Sequence, residues 1–148
     1  MNELDLRPIL LVEDDEVDAE LTVLGLRKYL LKNAVIHVTD GAIALDFLFC
    51  RGAYQQRPQA NPCLVLLDLK LPKIDGLSVL KAIRADARTR AIPVFVLTAS
   101  SAQQDMAEAT RLQITDYLVK PVEFVSFASV VAKAGLNWGL FAQEGSAQ

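Results

Sequence analysis

Five residues of types that do chemistry stand at the ends of apolar runs. Glu13 and Asp14 follow Pro8–Val12, and Asp68 follows Cys63–Leu67. Thr98 closes Pro93–Leu97, and Lys120 closes Thr115–Val119. If the runs are parallel strands, all five converge on one sheet edge. Three carboxylates packed together repel, and their charged forms are disfavoured. A divalent cation resolves that conflict. Mg2+ takes oxygen ligands in an octahedral shell, with few carboxylates, several waters and phosphate oxygens. A lysine and a threonine hydroxyl nearby suit a phosphoryl group, as point charge and hydrogen-bond donor. Together they read as an aspartate that accepts a phosphoryl group while Mg2+ neutralises the developing charge. Each member also has a plain structural explanation. Asp14 or Asp15 could simply cap a helix, Asp68 could belong to a turn, and Thr98 could be a strand-end hydroxyl. Their joint placement at four strand ends is what favours chemistry.

The elements that must position these residues alternate along the chain. Wholly apolar runs suit strands buried on both faces, as in a parallel sheet. After the first strand, Val17, Leu21 and Leu24 recur at helical spacing, with acids in the first turn and Arg27, Lys28 and Lys32 near the end, an order that fits the helix dipole. Ala34–Val38 reads as a strand and Gly41–Cys50 as a helix; Arg51–Pro62, with Gly52, Pro58, Asn61 and Pro62, reads as a surface loop. Helices are predicted over Leu77–Arg84, Ala102–Leu112 and Val122 to about Leu140. The pattern predicts an α/β fold: a doubly wound five-stranded parallel sheet flanked by five helices. Its site should lie beyond the carboxyl ends of the strands.

Composition narrows the classes. At 148 residues, 52% of them hydrophobic and 22% charged, the chain suits one ordered domain. A net charge of −3 argues against a nucleic-acid binder. No apolar run reaches membrane-span length, and Met1-Asn2-Glu3 does not open a signal peptide. The two cysteines, Cys50 and Cys63, have neither metal-site nor redox spacing.

Four motifs carry a resemblance: LLVEDD (Leu10–Asp15), LVLLDLKLPKIDG (Leu64–Gly76), VLTAS (Val96–Ser100) and DYLVKP (Asp116–Pro121). With them the chain resembles the receiver domains of two-component response regulators, over residues 8–140, leaving 141–148 as a short polar tail and no output domain. FLFCRGAYQQRPQANP (Phe47–Pro62) and the long helix after KPVEF are similar to the stand-alone receivers that partner bacterial phytochromes. The resemblance implies a flavodoxin-like receiver fold with Asp68 as phosphoacceptor. It implies that Asp14 binds Mg2+ directly and Glu13 mainly through water, with the backbone carbonyl of Lys70 as a further ligand. Thr98 and Lys120 would contact the phosphoryl group, Ala99 would leave it room, and Thr98 would couple to Tyr117 as the switch. Lys120-Pro121 would be cis. The implied partner is a sensor histidine kinase of phytochrome type, and the implied setting is the cytoplasm. Such a protein catalyses only its own phosphorylation and dephosphorylation, and signals by protein contact or onward phosphotransfer. Lys70 stands where relatives often carry Asn, so its ammonium could reach the phosphoryl group and hinder hydrolysis.

Two other functional classes compete: a constitutive dimeric scaffold with a vestigial site, and a Mg2+-dependent phosphatase or phosphotransferase acting on small molecules. The latter lacks a second acid–base group beside Asp68. His37 reads as structural and distant from the strand-end cluster, and Arg84, Arg88 and Arg90 as a solvated helix end. The last helix is apolar almost all round, whereas a surface helix shows one stripe. That favours a homodimer anchored by Phe124, Phe127, Trp138 and Phe141; the alternative is a tail folded back on the domain.

Overall fold

The computed structural model describes residues 7–27, 33–58, 60–99 and 106–133. Its strands are β1 (Ile9–Val12), β2 (Val35–Val38), β3 (Leu64–Asp68), β4 (Val94–Thr98) and β5 (Asp116–Val119). Its α-helices are α1 (Glu16–Arg27), α2 (Gly41–Leu48), α3 (Gly76–Ala85), α4 (Met106–Arg111) and α5 (Phe124–Lys133), and Gly52–Tyr54 forms a 3-10 turn. The sheet runs β2-β1-β3-β4-β5 with every pairing parallel. This is the doubly wound fold that the alternation predicts.

Buried strands alternate their side chains between two cores. Leu10, Val12, Val65, Leu67, Val94 and Val96 face the side of α2 and α3. Ile9, Leu11, Leu64, Leu66, Phe95 and Leu97 face the side of α1 and α5. Every residue of β1, β3 and β4 is buried, so these runs carry no polar alternation.

Three sequence expectations change. The stripe that announces α1 points outward: Val17, Leu21 and Leu24 are exposed, whereas Ala19, Thr22 and Leu26 are buried. Phe127 is a core residue, fully buried edge-on to Phe95 with centroids 6.5 Å apart, and so cannot anchor a dimer. Phe124 is half-buried, while Trp138 and Phe141 lie outside the described residues. Arg84 is no solvated charge. Its guanidinium donates to the carbonyls of Ile92 (2.8 Å), Arg90 (2.9 Å), Leu112 (2.9 Å) and Gln113 (3.1 Å), tying the end of α3 to the loops before β4 and β5. Arg88 pairs with Asp86 and stacks on Phe49.

Candidate functional site

The site is assembled by register. Val12 pairs with Leu67, so Glu13 and Asp68 leave neighbouring strands at the same level. Asp68 pairs with Leu97, and Thr98 with Val119, the residue before Lys120. The cluster therefore sits beside β1 and β3, where the strand order reverses and open α/β sheets place their ligands. Gly76 shapes the far wall. A side chain there would overlap the backbone of Asp68 and Leu69, and its own N–H donates to the Leu69 carbonyl at 3.0 Å.

Lys120 lies at the centre. Its ammonium donates to Asp68 Oδ2 at 2.9 Å, to Glu13 Oε1 at 3.1 Å and to Asp18 Oδ2 at 3.1 Å. Burial works against that charge, but hydrogen bonds to Asp68 and Glu13 outweigh it and hold the ammonium above the usual lysine range. Glu13 is fully buried. Burial pushes its carboxyl up to about 7; the Asp15 N–H and Lys120 draw it back, and Asp68 adds to the rise. Asp68 is 6% exposed, and its Oδ1 accepts the Lys70 N–H at 2.9 Å. Lys70 itself is exposed. Asp14 is exposed at the rim, and the helix-capping role falls to Asp15, whose Oδ1 accepts the Asp18 N–H at 2.9 Å. One carboxylate oxygen from each of Glu13, Asp14 and Asp68 lies within 4.8 Å of the others. That donor set fits a hard divalent cation, which needs few carboxylates and keeps water in the rest of its shell.

Thr98 is buried at the end of β4, and its carbonyl accepts the Lys120 N–H at 2.8 Å. Tyr117, half-buried on β5, hydrogen-bonds through its hydroxyl to Thr110 Oγ1 at 3.0 Å, so the ring leans toward α4. The Lys120-Pro121 peptide is cis.

Two residues escape the sequence reading. Asp18 stands in the first turn of α1, where an acid suits the helix dipole on its own, so nothing local marks it as a partner of Lys120. His37 is not distant: its Nε2 lies 2.7 Å from the Glu13 carbonyl oxygen. That contact depends on β2 pairing with β1, which the linear sequence does not display.

A family model described as "Response regulator receiver domain" matches residues 9–132. The chain belongs to the response regulator receiver family. Its receiver fold is shared with solved structures of two bacteriophytochrome response regulators. RtBRR is 47% identical with a TM-score of 0.84, covering 90% of this chain and 81% of that one. AtBRR is 46% identical with a TM-score of 0.85, covering 93% and 97%. Response regulator Rcp1 of Synechocystis is 39% identical over 112 residues, 76% of this chain and 75% of Rcp1. Rcp1 also has a solved Mn2+-bound form, 36% identical with a TM-score of 0.71, covering 85% of this chain and 90% of that one. This receiver is thus similar to phytochrome response regulators.

Proposed function

We propose that this receiver takes a phosphoryl group from a sensor histidine kinase, of the phytochrome type, onto Asp68 in a Mg2+-dependent reaction. The observation that carries the reading is the Asp68 carboxylate. It is held between the Lys120 ammonium and the Lys70 N–H, with Glu13 and Asp14 beside it. Attack by an Asp68 oxygen on phosphohistidine breaks the P–N bond and leaves an acyl phosphate. Lys120 stays within reach of the new phosphoryl oxygens, and Thr98 stands one strand away on β4 to hydrogen-bond another. Mg2+, when bound, neutralises charge developing on the transferred group; Asp14, Asp68 and the Lys70 carbonyl would hold it directly and Glu13 through water. The Mn2+-bound form of Rcp1 supports the metal assignment. The exposed Val17, Leu21 and Leu24 share α1 with Asp18, giving a kinase helix an apolar surface beside the acceptor. The acids gathered beside Lys120 support this reading over a vestigial scaffold.

Labelling by acetyl phosphate should require Mg2+ or Mn2+ and stop with a chelator. Asp14→Ala should weaken metal binding by roughly tenfold or more and Glu13→Ala by less. The reverse order in a calorimetric titration would exchange their roles, and labelling that ignores a chelator would end the metal reading.

The switch is read through Thr98 and Tyr117. The acyl phosphate shifts a two-state equilibrium only by as much as it binds one state better, and the Thr98 hydroxyl supplies that difference. Thr98→Ala should therefore be labelled normally yet show no labelling-dependent change in the environment of Tyr117, followed by NMR of the ring. A wild-type response in this variant would remove Thr98 from the switch.

Association belongs to the same proposal. Val119 of β5 is 55% exposed and Val125 of α5 is 70% exposed. Val119 lines a groove with Tyr117, Pro121, Glu123, Ser126 and Val130. We take this face, with α5, as the homodimer surface. Val125→Asp should give a folded monomer in sedimentation, whereas Phe127→Asp should unfold the domain. A wild-type monomer throughout the micromolar range would refute the dimer.

A further inference from the structure

Glu13 leaves the sheet just past its last rung with β2, the pairing of Val12 with Val38. Two bonds still tie it to that edge strand. Its N–H donates to the Val38 carbonyl at 3.1 Å, and its carbonyl lies 2.7 Å from His37 Nε2. A carbonyl only accepts, so Nε2 carries the proton and donates. The side chain of His37 thereby continues a ladder that the backbone has ended. Its ring lies on the α1 side of the sheet, in a groove with Glu16, Glu20, Leu24 and Thr39.

The carbonyl of Glu13 and the nitrogen of Asp14 belong to one rigid peptide plane. Fixing the carbonyl fixes the direction from which Asp14 projects, and also the start of the turn into α1. Beside the Val38 carbonyl that holds the Glu13 N–H, His37 is the group of β2, an edge strand, that grips the peptide shared by the acidic pair. We infer that His37 is a positioning residue for the acidic pair, acting through the Glu13 carbonyl to set the affinity of the site for a divalent cation. The inference rests on the metal assignment above. Outer hydrogen bonds of this kind tune metal sites without touching the ion.

The test is Mn2+ binding to the full chain, read by loss of the free-ion EPR signal. His37→Ala should bind about three- to tenfold more weakly than wild type. His37→Gln should recover most of the difference, because the glutamine amide places an N–H donor near the position of Nε2. Acetyl phosphate labelling should show the same split: a raised half-saturating Mg2+ concentration and an unchanged rate at saturation. Should the alanine variant not fold, His37→Val, which has no side-chain donor and suits an edge strand, serves instead. Equal affinity in wild type and the donor-free variant would overturn the inference, as would a glutamine variant as weak as alanine. Loss of thermal stability with unchanged metal affinity would also overturn it, by giving His37 a purely structural role. Absence of Mn2+ binding by wild type would instead strike at the metal reading itself.

Discussion

Asp68→Asn should abolish labelling by acetyl phosphate and by any kinase while leaving the fold intact. The amide is isosteric, but it is too poor a nucleophile to form the acyl phosphate. It keeps an oxygen for the Lys70 N–H, so the β3–α3 turn retains that bond. It also removes one charge from a cluster in which Glu13 is fully buried and Asp14 is close by. Relief of like-charge repulsion should offset the lost ion pair with Lys120, which keeps Glu13 and Asp18, so the metal-free variant should be about as stable as wild type, and Mg2+ should stabilise it less. Mass spectrometry of the intact chain after incubation with phosphodonor decides the matter. Labelling at the wild-type rate would move the acceptor elsewhere.

The second large effect concerns stability. Lys120 is the counter-ion of Glu13, Asp18 and Asp68 at once, and its side chain is 15% exposed. Lys120→Met keeps much of the apolar stem and removes the charge. Stripping one partner from a buried ion pair costs about 3–5 kcal/mol; with this much solvent access we expect about 2–4 kcal/mol. The loss should be smaller at pH 6 than at pH 8. Burial already pushes the Glu13 carboxyl up to about 7, and without Lys120 it rises further. The folded variant therefore binds a proton that the unfolded chain has released, and its stability falls as pH rises through that range. Mg2+ should restore part of the loss by supplying the missing positive charge. Urea melts in chelator and in Mg2+ at the two pH values test each step; a variant as stable as wild type at pH 8 in chelator would show that Lys120 does not neutralise the site.

The strands were legible because β1, β3 and β4 are apolar runs too short for a buried helix and continuous as strands buried on both faces are. Their limits were not. An apolar criterion stops at Leu67 and Leu97, whereas the ladders run on through Asp68 and Thr98. The functional residues are thus the last residues of these strands, held by the sheet itself. The site was legible as a set because Glu13, Asp14, Asp68, Thr98 and Lys120 each mark a strand end. Its interior was not, since Glu13 looks too polar to bury until Lys120 is placed against it across the sheet. The outward face of α1 and the inward Phe127 share a cause. Periodicity gives the presence of a helix, but which side meets the core is settled by the sheet beneath it. Arg84 misled because four carbonyl acceptors from two separate loops leave no mark in a linear sequence.

The span of that central contact also sets a schedule for biosynthesis. Lys120 lies 107 residues beyond Glu13. At typical synthesis rates the carboxylate therefore waits roughly 5–20 seconds for its counter-ion to be made. Until then, a nascent chain that has already joined β1 to β2 holds an acid at the strand end with nothing to neutralise it. The strand next to that acid on the other side, β3, begins only at Leu64. Burial of Glu13 as a charged carboxylate therefore waits for β5, and before that the strand end can close only around the protonated acid.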